Sequence, residues 1–282
     1  MRHAIDPKID CVFKALLGAE ENRNLLIHFL NALLAQELIE PIVSVDILNP
    51  YNDKEFFSDK LSVVDVKAQD QHERLYQIEI QLSSYRHLPA RMIYNWADIY
   101  SQQLKSGQDY GLLKPAYAIW LLSDNLLTDD NQYAHHYKLR DENGKLLTQH
   151  GGIWLLELTK FNVKHIESEE QRWLKFFKTG EQLNDDALPD WMTTEEMKQA
   201  MNTLSRFSEK EREYFQYQAR QEYLREQRAI KNEHEQTAQQ LEQTSQQLEQ
   251  VVHQLEQAAK ELQQSKFLAE EAQKREQEAQ KT

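Results

Sequence analysis

LSVVDVKAQDQHERLYQIEIQL, residues 61–82, consists of two apolar runs, each interrupted by a carboxylate where a core residue belongs: Asp65 in the first and Glu79 in the second. Strand side chains alternate faces with period two. Asp65 therefore shares a face with Val63 and Lys67, and Gln77, Glu79 and Gln81 form a polar face opposite Ile78, Ile80 and Leu82. The polar QHER at 71–74 reads as the turn joining the two strands. If they pair, the carboxylates converge with Gln81 and Lys67 and present oxygen ligands suited to a hard divalent cation such as Mg²⁺. Such a cation activates water and offsets phosphate charge. The competing reading is a polar face left to solvent, which antiparallel strands commonly have.

The surrounding punctuation sets the architecture. Leu25, Leu26, Phe29, Leu30, Leu33, Leu34 and Leu38 form a wide helical stripe, ended before Pro41. Residues 42–48 alternate as a first strand, and the turn-rich stretch 48–62, which carries Asp59 and Lys60, leads to the Asp65 strand. Residues 88–106 are helical by pattern, with Pro89 in the first turn, Gly107 as a stop, and Met92, Ile93, Trp96, Ile99, Tyr100 and Leu104 as the buried stripe. The continuous apolar run 115–122 predicts a strand buried on both faces. The order is α-β-β-β-α-β.

Asn143-Gly144 predicts a hairpin that extends the sheet. His135, His136 and His150 do not make a zinc site: adjacent His in a strand point to opposite faces and no Cys pair accompanies them. Ser168, Thr193 and Ser208, each three residues before Gln or Glu, mark three further helix starts, and Trp173, Phe176 and Phe177 suggest a satellite core. From Ser208 onward there is neither Gly nor Pro. Leu241, Leu248, Leu255 and Leu262 recur every seven residues, with Ser245, Val252 and Ala259 at the other seam position. The repeat predicts a weak coiled coil and a homo-oligomer through residues 208–282, with a frayed single helix as the alternative.

Composition adds exclusions. One cysteine, Cys11, rules out an internal disulfide framework and fits a reducing cytoplasm. No apolar run is long enough to span a bilayer, so no membrane partner is expected. The net charge of −13 opposes general nucleic-acid affinity. From Arg206 onward there are 12 basic and 15 acidic residues, so that part carries −3 and the preceding 205 residues carry −10. Lys14, Lys67, Arg86, His87 and Arg91 supply a local basic patch, and weak, salt-sensitive DNA binding is the expectation.

Asp65, then Glu79-Ile80-Gln81, resembles the D…(D/E)-x-K signature of the PD-(D/E)XK nuclease superfamily, with Gln in the Lys position. Asp10-x-x-Phe13-Lys14, Asp65-Val66-Lys67-Ala68 and the series Arg91, Tyr94, Tyr100, Gly107, Tyr110, Pro115 are similar to the Rpn family of recombination-promoting nucleases, also described as putative transposases. The similarity covers about residues 1–180. It implies an α/β, restriction-endonuclease-like core, a mixed sheet flanked by helices, to which the heptad repeat adds a long helical coiled-coil tail. The corresponding divisions are a nuclease-like domain at 1–165, a helical extension at 166–207 and the long helix at 208–282. It further implies a Mg²⁺-dependent DNA endonuclease that promotes recombination. Asp65, Glu79 and the Ile80 carbonyl would hold metal, and Gln81 would orient the attacking water or the scissile phosphate. Lys14 and Lys67 are the candidates for the missing lysine charge. The rival function is a nuclease-like scaffold that has lost its chemistry and recruits partners through the coiled coil.

Overall fold

The computed structural model describes residues 4–49, 65–184, 187–209 and 211–279. Two helices, α1 (Asp10–Leu17) and α2 (Arg23–Leu34), precede strands β1 (Val45–Leu48), β2 (Val66–Asp70) and β3 (Leu75–Gln81). Helix α3 (Leu88–Ser101) then leads to β4 (Ala116–Leu122), and β5 (Ala134–Tyr137) and β6 (Gly151–Glu157) follow. The sheet runs β1-β2-β3-β4-β6-β5. β3–β4 and β4–β6 are parallel, and the other pairs are antiparallel. This mixed six-stranded sheet flanked by helices fits the α/β architecture expected from the sequence, with a further short helix, α1, ahead of the leucine-striped one.

Local chemistry explains the boundaries. The QHER turn closes with Glu73 at φ 62, and Val66 pairs with Ile78 and Lys67 with Gln77. β4 is buried along its whole length because parallel neighbours lie on both sides and helices cover its faces. β1 begins only at Val45, since the backbone N–H and C=O of Ile42 are both taken by the Asn31 side chain. Residues 50–64 lie outside the described part, and with them the expected loop positions Asp59 and Lys60 and the strand positions Val63 and Val64.

Three expectations change. First, α3 stops at Ser101, short of Gly107, because the Gln103 side chain bonds both the N–H and the C=O of Lys114 and draws the chain off the helix axis. Its buried face is Leu88, Met92, Asn95 and Ile99, while Ile93 is 59% exposed. Second, Trp173, Phe176 and Phe177 on α4 (Glu169–Thr179) are no satellite: Phe177 packs on Phe13 and Phe29, and Trp173 on Phe29, in the main helical layer. Third, α5 (Glu195–Glu209) is capped by Thr194, whose hydroxyl accepts the Met197 N–H, and Ser208 lies inside its last turn. Ser168 does cap α4, accepting from the Gln171 N–H.

Helix α6 runs Glu211–Ala279. The chain divides into two compact units, Met1–Arg220 and Gln221–Thr282. The start of α6 belongs to the first: the buried Tyr217 hydroxyl accepts the Asp6 N–H at 3.0 Å, and Arg220 Nε meets Asp10 Oδ1 at 2.9 Å. Among the described residues no helix is long and apolar enough to cross a membrane.

Candidate active site

The open end of the β2–β3 hairpin brings Asp65 and Glu79 together. Asp65 stands one residue before the first ladder pair of β2, not within the strand, and its Oδ2 accepts the Ile80 N–H at 2.9 Å. A side-chain carboxylate thus satisfies a strand amide that faces β2. Extending the register from Val66 and Ile78 sets Asp65 opposite Glu79. The polar face of β3 is not left to solvent as antiparallel pairing alone allowed: Gln77 is 0% and Glu79 4% exposed. Helix α3 covers this face, with Leu88 and Met92 packed among Ala118, Trp120, Leu122, Ile153 and Leu155.

Two helices deliver cations to the pair. Gly18, at the end of α1, permits the first: a Cβ there would lie 2.9 Å from the Lys14 carbonyl and 3.3 Å from the Val66 side chain, so a glycine lets α1 close on the start of β2. Lys14, one turn back, places Nζ 3.3 Å from Asp65 Oδ1. From α3, Arg91 places Nη2 3.6 Å from Glu79 Oε1 and donates from Nη1 to Gln81 Oε1 at 3.3 Å, with its guanidinium 5.4 Å from the Trp120 ring centre. Gln81 in turn donates from Nε2 to the Ser83 carbonyl. Beyond it, Ser84 bonds Asp124 through both N–H and hydroxyl, which fixes the connection from β3 into α3.

The electrostatics follow from this packing. Burial raises the Asp65 carboxyl above its ordinary value, against the Ile80 N–H and Lys14, which lower it. Burial and then the Asp65 charge push Glu79 up to about 8, with Arg91 and Lys14 opposing. Glu79 Oε1 is buried and meets no hydrogen-bond partner among the described residues. Two adjoining carboxylates, one with an unserved buried oxygen and both resisting ionisation, fit a hard divalent cation, which would neutralise them. Among the described residues no group of three or more His, Cys, Asp or Glu side chains is placed to hold a metal. Two carboxylates are nonetheless a usual protein contribution for Mg²⁺, which keeps several waters.

The structure therefore gathers Asp65, Glu79, Lys14 and the Ile80 peptide, and joins Gln81 through Arg91. Lys67 shares their face two residues along β2, opposite Gln77, and is engaged in an interaction of its own. Asp10 adds a charge that acts on Asp65 while pairing with Arg220. The sequence placed Arg91 in a local basic patch without a named partner and gave no reason to bury Gln77. The signal for both was the spacing of Arg91 from Leu88 and Met92, which sets it beside the helix stripe that covers β3.

The family described as PD-(D/E)XK nuclease family transposase matches residues 7–234, most of the chain, and the protein belongs to that family. No curated protein and no solved structure matches.

Proposed function

We propose that this member of a nuclease family hydrolyses phosphodiester bonds of DNA in a Mg²⁺-dependent reaction, and that cutting by it promotes recombination. The observation that carries the reading is the buried, under-bonded Glu79 beside Asp65, flanked by cations from two helices. Burying carboxylates this way costs stability unless a positive ion joins them. Asp65 and Glu79 would hold the metal, with the Ile80 carbonyl beside them, since a strand residue directs its N–H and C=O to the same edge and the Ile80 N–H already meets Asp65. A bound divalent cation supplies water activation and charge neutralisation at the phosphate. Gln81 orients the phosphate or the water by its amide. Lys14 holds Asp65 in place and adds positive charge at the entrance.

Plasmid cleavage in Mg²⁺ against EDTA tests this. Conversion of supercoiled to open or linear DNA only with the metal is the expected result. A folded protein that leaves the plasmid intact under both conditions supports the scaffold instead.

We further propose that residues 221–279 associate with a second copy as a coiled coil. Leu241 and Leu248, a heptad apart, are 72% and 64% exposed on the single chain, which leaves the seam open. A chain ending at Arg220 keeps Tyr217 and Arg220 docked on residues 6–10, so it should stay folded and lose the oligomer, as light scattering would record. Paired cuts should fall more than nicks, because linked sites act at raised effective concentration.

A further inference from the structure

A member of this superfamily that carries Gln in the signature's last position lacks the lysine charge there, and among the described residues the structure offers three cations nearby: Lys14, Lys67 and Arg91. Resting on the hydrolytic reading above, we infer that Arg91 is the catalytic cation of this site and that Gln81 is the residue that holds it there.

Geometry separates the three. Lys14 is committed to Asp65, the carboxylate on the far side of the pair from β4. Lys67 lies two residues inward, opposite Gln77. Arg91 alone reaches both β3 positions of the signature, Glu79 and Gln81. It is also only loosely tied to Glu79: at 3.6 Å the contact is an ion pair outside hydrogen-bond reach, and Glu79 Oε1 remains without a hydrogen bond. The firmer partner is the neutral Gln81 amide. A guanidinium carries five N–H donors in a fixed fork that matches phosphate oxygens. The Trp120 ring lies against it, and Leu88 and Met92 anchor α3 on either side. A Lys at 81 would repel Arg91, whereas Gln accepts from it. The signature's Gln thus exchanges a charge on the strand for a charge delivered by the helix.

Hydrolysis adds the oxygen of water to phosphorus, breaks the bond from phosphorus to one ester oxygen, and moves one proton from water to that leaving oxygen. Between those events the non-bridging oxygens carry added negative charge. A divalent cation held at Glu79 would leave Arg91 Nη2 free for those oxygens, and Gln81 would keep Nη1 in place.

The test relocates the charge. In Mg²⁺, turnover of plasmid by wild type, Arg91→Ala, Arg91→Lys, Gln81→Lys and the double variant Arg91→Ala/Gln81→Lys is compared. Arg91→Ala should lose on the order of 10²-fold in turnover, and Arg91→Lys should lose less. The double variant should regain about tenfold or more of that loss, because the lysine returns a cation to the same place. Gln81→Lys alone should be slower than wild type. Should Arg91→Ala not fold, Arg91→Gln makes the same comparison with a longer, uncharged polar side chain in its place. A second readout is DNA binding followed by fluorescence anisotropy against salt, where loss of one phosphate contact lowers the slope of log affinity by about one. Wild-type turnover retained in Arg91→Ala, or a double variant no faster than Arg91→Ala, overturns the inference while leaving the hydrolytic reading standing. A wild type that does not cut removes that reading, and the inference with it.

Discussion

At the turn of the β2–β3 hairpin Asp70 is met by the N–H groups of His72 and Arg74, the Arg74 guanidinium at 2.5 Å and the Tyr76 hydroxyl at 2.7 Å. At the open end of the same hairpin Glu79 is as deeply buried, yet Oε1 receives no hydrogen bond among the described residues and its nearest cation stands at 3.6 Å. Both are carboxylates on adjoining strands, and only one is provided for. The difference lies in where the donors come from. Asp70 draws on its own turn, where residues two, four and six positions on point back at it. Glu79 lies under α3 and beside Asp65, so burial and like charge act on it together. A saturated buried carboxylate holds a turn closed; an unsaturated one keeps binding energy in reserve for a ligand.

The sharpest way to break the comparison is to remove charge at each end without changing shape. Asp65→Asn and Glu79→Gln should each lower metal-dependent plasmid cleavage at least about 10³-fold, upward of about 4 kcal/mol of transition-state stabilisation. Circular dichroism should show the fold kept. Asp65→Asn retains an acceptor for the Ile80 N–H, which Asp65→Ala would strand. Asp70→Asn should cut at the wild-type rate per folded molecule. If Asp70→Asn is as inactive as Glu79→Gln while still folded, the turn and the open end do not divide structure from chemistry.

Asp70→Ala should act on stability instead. It leaves the Arg74 guanidinium, the Tyr76 hydroxyl and two amides without their acceptor, and the Arg74 side chain is only 12% exposed. Breaking a buried pair by removing one partner costs about 3 to 5 kcal/mol. Urea unfolding should show a midpoint lowered accordingly with the slope unchanged. A midpoint equal to wild type would mean that the turn holds without its carboxylate.

The sequence carried the two ends unequally. Periodicity and turn residues are local, so the hairpin at 71–74 and the convergence of Asp65 with Glu79 could be read from residues 61–82 alone. The Asp70 network is local as well, and an Asp opening a tight turn is the signal that could have found it. What could not be read is which helix roofs the polar face of β3. That depends on α3 rotating so that Asn95 faces inward and Ile93 outward, a difference of two positions in a stripe whose hydrophobicity fits either choice. Arg91 reaches Glu79 and Gln81 only because of that rotation. The closeness of α1 to β2 was equally hidden, since a Cβ at Gly18 would meet the Val66 side chain, far along the chain.

Proton affinity gives a finer test. The Glu79 carboxyl in the folded chain lies at about 8, against an ordinary 4.5. Over that window the folded state keeps a proton that the unfolded chain has released, so stability falls as pH rises from about 4.5 to about 8 and levels off outside it. Asp65, also raised, acts in the same direction at the low end. In EDTA the wild type should lose on the order of 5 kcal/mol across the window, measured by urea unfolding at each pH. Glu79→Gln should flatten most of the dependence, and Mg²⁺ at pH 8 should restore stability to the wild type but not to the variant. A dependence of the same size in Glu79→Gln places the titrating group elsewhere.

The smallest effect concerns Gln77, the residue between the two ends. Its side chain is fully buried on the Glu79 face, and neither amide atom meets a hydrogen-bond partner among the described residues. A buried amide without partners is a net loss relative to an apolar group of the same shape. Gln77→Met keeps the length and flexibility of the side chain and removes both polar atoms, so it should raise stability by about 1 kcal/mol and leave cleavage unchanged. Glu79 is the control, because Glu79→Gln also removes a cost from the same face but takes the activity with it. If Gln77→Met instead destabilises the chain or slows cleavage while the thermal midpoint holds, the amide serves Glu79, and the unsaturated end of the hairpin extends one pair deeper into the sheet than the carboxylates alone mark out.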